Sequence, residues 1–411
     1  MLIEVKPSRI SGSIEAPQSK SLGIRLIFYS LLRTVKLERV MESEDLRAAL
    51  RAVELFGVKR SDWSFSPPGE LRLIGNYVNV GGSGTTLRML IPIAAAVGGE
   101  VTLDGDETLR RRPINAVVES LSNYGVEFNS NRLPLKMKGK LNSQDVEISG
   151  AESSQYITGL IYALLLKGGG KIRIRPPISS LSYIKMTCWL LNSLGASVDL
   201  QDNMVSVNVG ELREYVGKVP GDYLLSSFYA AASILTGGRL SIRGLYEGPD
   251  FFGDHSVVQV FSSMGAESEY EKGEWKVERK GKLRGISLDL EDSPDMAVSV
   301  AALAAATDGI TELRSIGRLR TKESDRVSTI THVLEACGAQ VRIDGNSMFI
   351  RGNDSPKRIE IQCPSDHRIA MLASVIGFLS GATVRGAECV NKSNPLYWKD
   401  LIKLGGAVEI K

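Results

Sequence analysis

The sequence predicts a layered α/β fold, built from six copies of one unit and divided into two domains. Three observations carry that prediction. First, a Gly that ends an apolar helical pattern and precedes a short β-like run recurs at Gly57, Gly125, Gly195, Gly265, Gly338 and Gly406, 68–73 residues apart. Second, a large apolar residue stands four positions before each one: Val53, Leu121, Leu191, Phe261, Leu334 and Ile402. Third, a shorter apolar run rich in Ala, Ile and Leu lies upstream, as in "RMLIPIAAAVGG", "YAAASILTGG" and "AVSVAALAAATDG". Self-similarity at a fixed period marks repeated supersecondary units.

Each element of the unit follows from its pattern. The first helix is apolar nearly all round, so it is predicted to be buried. A Gly stop follows at Gly98, Gly169, Gly237, Gly309 and Gly381, as helix C-caps require. A short strand comes next: "EVTLDG", "KIRIRP", "RLSIRG", "ITELRS" or "ATVRGA". The second helix is amphipathic, since Ile330, Val333, Leu334 and Cys337 fall at i, i+3, i+4 and i+7, as do Ile114, Val117, Val118 and Leu121. A strand such as "VEF", "SVDL" or "QVRI" closes the unit. The first copy is the least regular, with Thr34 and Val35 where the others carry Gly.

A chain of 411 residues exceeds what one core usually reaches, about 250–300. Six units divide most simply into two domains of three. Residues 19–222 are predicted to form one, with 1–18 returning to join 223–411 in the other and the active site in the cleft between them. Net charge is +3 with 24% charged residues, and no polybasic run argues for nucleic acid. Apolar stretches of about a dozen residues fall short of the ~20 that span a membrane. "MLIEVKPSRI" begins as a strand and lacks a signal-peptide pattern. Cys188, Cys337, Cys363 and Cys389 show no metal-like pairing and are read as buried free thiols in a reducing cytosol. The expectation is a cytoplasmic monomer with no metal.

The copies depart from one another at the start of the buried helix. They open with Ser19-Lys20-Ser21 and Arg25; Gly81-Gly82-Ser83-Gly84-Thr85 and Arg88; Ser153-Ser154-Gln155; Gly221-Asp222 with Ser226 and Ser227; Ser293-Pro294-Asp295; and Asp366-His367-Arg368. Helix N-termini attract anions. Ser, Asp and Gly there are also ordinary caps, and for Ser153 or Asp222 alone capping is the better reading. Lys20, Arg25, Arg88 and Arg368 fit capping poorly, because cations are disfavoured at that end. They predict a bound anion. "GGSGTT" lacks the ending of a Walker loop and points instead to close backbone approach to a ligand.

Further cations follow strands: Arg110-Arg111-Arg112 in copy two, "RLRTKESDR" in copy five and Lys392 in copy six. Lys322 and Arg326 are spaced i, i+4, which predicts a shared helix face. This inventory suits substrates that carry several phosphate and carboxylate groups. Glu323 and Asp295, held among these cations, are candidates for acid and base.

In this order, "SKSxxxR" ending at Arg25, "GTxxR" at Gly84–Arg88, "RRP", "SSQ", "KESDR", "DHR" and a late Lys before Ser-x-Pro resemble the EPSP synthase (3-phosphoshikimate 1-carboxyvinyltransferase) family of enolpyruvyl transferases. The resemblance runs over essentially the whole chain. It implies two domains, each of three βαβαββ units, and a reaction that needs no cofactor. Shikimate 3-phosphate would take the enolpyruvyl group of phosphoenolpyruvate by addition and elimination, and glyphosate would inhibit. Carried over residue by residue, the resemblance makes Asp295, Glu323, Lys20 and Lys392 catalytic. Lys20, Ser21, Arg25, Ser153, Ser154, Gln155, Ser180, Tyr183, Asp295 and Lys322 would hold shikimate 3-phosphate, with Ser179 a competitor for the place of Ser180. Lys20, Gly84, Arg112, Gln155, Arg326, Arg368 and Lys392 would hold phosphoenolpyruvate. Gly82 and Arg318 stand where the family commonly has Asn, and Gly23-Ile24 where it has Ser-Asn.

Two rivals are weighed against this. An enolpyruvyl transferase acting on UDP-N-acetylglucosamine usually has a Cys in the region of Arg110–Arg112, where this chain has none. A repeat ring enclosing a polymer would disperse its cations rather than cluster acid–base pairs at helix starts.

Overall fold

The computed structural model describes residues 1–246 and 253–411. They divide into two compact units, Met1–Ser19 with Pro220–Lys411, and Lys20–Val219. Ser19 and residues 220–222 thus fall in the discontinuous unit, not in the continuous one where the sequence reading put them. The local pairing explains this: Gln18 and Gly221 form an antiparallel bridge, and the Asp222 N–H donates to the Pro17 carbonyl at 2.7 Å.

Among the described residues there are six four-stranded sheets. Copy three shows the pattern plainly. Asp145–Ser149 runs parallel to Gly170–Arg175, which pairs antiparallel with Met204–Asn208, which pairs antiparallel with Ser197–Gln201. The helix Ser154–Leu166 links the first two strands and Leu181–Ser193 follows. A parallel pair requires such a crossover, and here the crossover is the buried helix. Copies two and five repeat this order within contiguous sequence.

The other three copies borrow a strand, which periodicity did not reveal. Tyr215–Lys218 runs parallel to Val35–Glu38 and begins copy one. Gly12–Glu15 runs parallel to Arg239–Arg243 and begins copy four. Leu2–Lys6 lies between Ala382–Arg385 and Ala407–Ile410 and completes copy six. Each terminal sheet closes on a distant segment, so the chain must cross between units twice.

The marker glycines do what the period implies. Gly57, Gly125, Gly195, Gly265 and Gly338 all have φ between +82° and +97°, the left-handed region that Gly enters at no steric cost. In copy six the marker is Gly405, at φ +92°, not Gly406. The apolar position is likewise Leu401, fully buried, whereas Ile402 is 45% exposed. Gly98 and Gly381 cap their helices directly. Gly309 instead follows a helix that already ends at Ala304.

In the discontinuous unit the helices Tyr223–Leu235, Ala297–Ala304 and His367–Ser380 are buried and pack on one another within one apolar core. In the other, Gly84–Val97 packs against Ser154–Leu166. Pro92 lacks the N–H that would bond the Arg88 carbonyl, and Gly159 lets the neighbouring helix close on that carbonyl. A Cβ at Gly159 would stand 2.7 Å from the Met89 carbonyl oxygen and 3.1 Å from that of Arg88. No described helix is long and apolar enough to cross a membrane.

Gly159→Ala should therefore force two backbones apart. Overpacking of this kind costs about 1–3 kcal/mol. Thermal unfolding should begin several degrees lower, and an unchanged melting curve would mean the helices are not in close contact.

Candidate active site

The discontinuous unit gathers seven charged side chains. Asp295 sits in the 3₁₀ turn Pro294–Met296 at the head of the helix Ala297–Ala304. The Ser293 hydroxyl donates to Asp254 at 2.6 Å and ties down the entry to that turn. Asp295 Oδ1 accepts from Lys322 Nζ and from Arg326 Nη1, both at 2.8 Å, and Arg368 Nη2 lies 3.7 Å from Oδ2. Glu323 accepts from Arg326 Nη2 at 2.8 Å and stands 3.7 Å from Lys392 Nζ. Asp366 accepts from Arg326 Nε at 2.8 Å and Nη2 at 3.1 Å, and also caps the helix His367–Ser380 through the Arg368 N–H.

Arg326 is the hub. Its side chain is 0% exposed and each of its three nitrogens donates to a carboxylate. The expected shared helix face for Lys322 and Arg326 is not formed. Asp325 caps the helix Arg326–Ala336 by accepting from the Val327 and Ser328 N–H groups, so the helix starts after Lys322, which is extended. The two cations meet through Asp295 instead.

Electrostatics follow from this packing. Burial alone would raise the Asp295 pKa, but Lys322, Arg326 and Arg368 outweigh it and hold the carboxyl well below the usual range, with Glu323 opposing them. Burial pushes Lys322 down from the ordinary lysine value, with Asp295 acting the other way. Burial also works against the charge of Arg326, yet Asp366, Glu323 and Asp295 raise its pKa. Four cations face three carboxylates, leaving one positive charge over. Arg368 is 3% exposed, and its Nε and Nη1 are buried with no hydrogen-bond partner among the described residues. Such donors are costly to leave unmade and suit an anion.

The continuous unit holds a second set. Lys20, first residue of the helix Lys20–Tyr29, pairs with the buried Asp45 at 2.8 Å. Arg25 is 1% exposed. It donates to the hydroxyls of Thr187 at 2.9 Å and Thr158 at 3.3 Å, and to the carbonyls of Ser21 at 2.8 Å and Tyr183 at 3.3 Å. Gln155 accepts from Arg88 Nη1 at 3.1 Å and donates to Thr85 at 2.8 Å. Ser153 caps its helix through the Gln155 N–H, and in the discontinuous unit Asp222 caps through the Leu225 N–H, the ordinary role in both cases. Ser154 and Ser180 are buried. Ser180 takes a left-handed backbone at φ +52°, while the Ser179 hydroxyl donates to the Ala151 carbonyl at 2.9 Å.

The three successive arginines separate. Arg110 pairs with Asp104 at 2.6 Å and Arg111 with Glu107, both near the surface. Arg112 is buried, and its Nη1 would lie 2.9 Å from a Cβ on Gly84, with Arg88 Nη1 at 3.2 Å. Gly84 is not at positive φ, so its small size, not an unusual backbone angle, is what the position uses.

Sequence reasoning missed Asp45 and the role of Asp366. Asp45 had a readable signal. Ala48, Ala49 and Ala52 follow it at i+3, i+4 and i+7 and are all buried, so a carboxylate on that apolar face requires a partner. Asp366 read as one more helix cap, and nothing local ties it to Arg326. Among the described residues no group of three or more His, Cys, Asp or Glu is placed to hold a metal ion.

The cysteines need one correction. Cys188 and Cys337 are buried free thiols, but Cys363 and Cys389 form a disulfide. Parallel pairing of Gln362 with Arg385 brings the two chain segments out of the sheet side by side.

A family model for EPSP synthase (3-phosphoshikimate 1-carboxyvinyltransferase) matches residues 5–401. The chain belongs to the EPSP synthase family. It is 47% identical to a 3-phosphoshikimate 1-carboxyvinyltransferase of Saccharolobus islandicus and 48% identical to one of Sulfurisphaera tokodaii, in both cases over the whole of each chain. The fold is similar to that of EPSP synthase from Acinetobacter baumannii, with a TM-score of 0.79 at 22% identity, covering 100% of this chain and 99% of that one. Against the EPSP synthase pattern, Arg318 in place of the usual Asn donates to the Glu291 carbonyl at 3.3 Å.

Two outcomes are expected. Asp366→Ala strips the buried Arg326 of two contacts and the helix of its cap; breaking a buried pair costs about 3–5 kcal/mol, which denaturant titration will read, and a loss below ~1 kcal/mol would show that Glu323 and Asp295 suffice. The second concerns pH. The Asp295 pKa is depressed by folding, so its stabilisation is present above the unfolded value of ~3.9 and is lost as pH falls through the lower folded value. The unfolding free energies of wild type and Asp295→Asn should differ more at pH 6 than at about pH 2.5; an equal gap at both would contradict the charge-based account.

Proposed function

We infer that this chain transfers the enolpyruvyl group of phosphoenolpyruvate to the 5-hydroxyl of shikimate 3-phosphate and releases phosphate. The observation that carries the chemistry is Asp295 ringed by Lys322, Arg326 and Arg368, with buried Arg368 donors unspent. The relatives named above carry the same activity in their names, over their full length.

The reaction needs a base at the hydroxyl, a proton for the methylene carbon and stabilisation of the leaving phosphate. In addition, Asp295 takes the 5-hydroxyl proton while oxygen bonds to C2 and the methylene carbon gains a proton from Glu323, acting with Lys392 and Lys20. In elimination the carbon–phosphate oxygen bond breaks, the methyl group returns a proton and the enol ether forms. A carboxylate held this far down is a weak base. Anionic substrates that draw Lys322 and Arg368 toward themselves relieve that hold and raise its basicity. Arg368 and Lys392 would meet phosphoenolpyruvate, and Gly84, Arg112, Gln155 and Lys20 are the further candidates for that substrate. Arg326 would act mainly by fixing the three carboxylates, touching this substrate only by giving one of them up. Ser21, Arg25, Ser153, Ser154, Gln155, Ser180, Tyr183 and Lys322 would hold shikimate 3-phosphate. A cytoplasmic location fits two phosphorylated substrates that an apolar bilayer does not pass.

Phosphate release should require both substrates; release from phosphoenolpyruvate alone, or with UDP-N-acetylglucosamine as acceptor, would overturn the reading. Asp295→Ala should lower turnover about 10²–10⁴-fold, as loss of a general base does, with a smaller change in shikimate 3-phosphate affinity. Near-normal turnover would remove Asp295 from the role.

Gly84→Ala tests the phosphoenolpyruvate site. The new methyl meets the ends of two arginines closely and Leu109 Cδ1 at an ordinary 3.7 Å, so melting temperature should hardly move. Displacing those guanidinium groups should raise the Michaelis constant for phosphoenolpyruvate up to about tenfold, within what a charge-assisted contact of ~1.5–3 kcal/mol allows, and weaken glyphosate more. A large fall in melting temperature with unchanged relative glyphosate sensitivity would refute it.

A further inference from the structure

The Cys363–Cys389 disulfide joins two segments that each carry charged groups of the site. Cys363 follows the strand Ile359–Gln362 and its N–H donates to the Arg385 carbonyl at 2.8 Å. Three residues on, Asp366 caps the helix that carries Arg368. Cys389 lies in the 3₁₀ turn Ala387–Lys392, three residues before Lys392. The far side of that turn is also anchored. Asn394 is fully buried, its side chain donates to the Tyr229 hydroxyl at 2.7 Å, and that hydroxyl donates to Asp400 at 3.1 Å. Lys392 is thus suspended between a polar anchor two residues after it and a covalent one three residues before it. Cys363 is buried, whereas Cys389 is partly exposed, so small thiols can reach the bridge. The two Cα atoms stand 7.2 Å apart, above the ~7 Å beyond which a bridge needs some backbone movement to close, so the thiol count is the direct test of the bond.

We propose that this disulfide is a positioning element for the reaction, which holds the Lys392 turn against the helix start bearing Asp366 and Arg368. Opening it with a dithiol reductant impairs the use of phosphoenolpyruvate. The step balances: the dithiol gives two electrons and two protons, the S–S bond breaks to two thiols, and the reductant closes to its own disulfide. The inference rests on the function proposed above, because Lys392 and Arg368 are the groups assigned there to phosphoenolpyruvate. Shikimate 3-phosphate is assigned to neither of them, so its Michaelis constant is the internal control. A merely structural crosslink would disturb both substrates alike.

The experiment uses the full chain isolated without reductant. Thiol titration in denaturant should find two thiols, from Cys188 and Cys337, and four after dithiothreitol. On reduction, kcat/KM for phosphoenolpyruvate should fall about three- to tenfold, well inside the ~10²-fold that a 1 Å misplacement can cost. KM for shikimate 3-phosphate should stay constant and reoxidation should restore the rate. Cys389→Ser should show the reduced-state constants with or without dithiothreitol; if it fails to fold, reversible reduction of the wild type decides alone. Four thiols at the outset, unchanged kinetics after verified reduction, or equal loss toward both substrates would each overturn the proposal. Absence of two-substrate phosphate release from the oxidised protein would instead bring down the functional reading itself, and this inference with it.

Discussion

One guanidinium holds the chemistry of the discontinuous unit in place. Arg326 is fully buried and gives its donors to Asp366, Glu323 and Asp295. Those carboxylates come from three segments: the cap of one buried helix, the turn at the head of another, and the loop before the helix that Arg326 itself begins. A charge with no access to water must be paired and hydrogen-bonded. Once Arg326 is buried, the three carboxylates have little freedom left. Asp295 and Glu323 then stand at fixed positions, with Lys322, Arg368 and Lys392 drawn in around them.

Such a network is weak evidence for stability, because desolvation offsets much of the attraction. Its effect is on geometry and proton affinity. Against its burial, Lys322, Arg326 and Arg368 hold the Asp295 carboxyl well below the usual carboxylate range. The continuous unit treats its buried arginine differently. Arg25, inside the buried first helix of copy one, is met by the hydroxyls of Thr158 and Thr187 and by carbonyls, whereas Arg326 stands at the head of an amphipathic second helix. One repeat scaffold thus carries a carboxylate-rich set around Arg326 and a hydroxyl-rich set around Arg25.

The scaffold is constrained by where its sheets close. Leu2–Lys6, Gly12–Glu15 and Tyr215–Lys218 each complete a sheet whose other strands lie elsewhere in sequence. The leading strand of copy one, Tyr215–Lys218, lies far downstream of its partner Val35–Glu38. The two chain crossings, at 19–20 and 219–220, are tied side by side by the Gln18–Gly221 bridge and by the Ser19 N–H donating to the Pro220 carbonyl at 2.8 Å.

Much of this was legible in the sequence, for a physical reason. The buried helices, the glycine stops and the amphipathic second helices are set by local periodicity and by φ values that only Gly adopts freely, and these leave a mark every time the unit recurs. The order of charged motifs likewise pointed to the family and to Asp295, Glu323, Lys322, Arg326 and Arg368. Tertiary structure decided which charges meet. Lys322 and Arg326 come together through Asp295 and not along a helix face, since Asp325 starts the helix after Lys322. Of three adjacent arginines only Arg112 turns inward to Gly84. Lys20 pairs with Asp45, and Cys363 with Cys389 across two parallel strand ends. The copy-six marker moved by one residue because Gly405 and Gly406 look alike in sequence, and only the backbone angle separates them. Local pattern is written in spacing along the chain, but partners for buried charges are chosen by packing between segments that spacing does not connect.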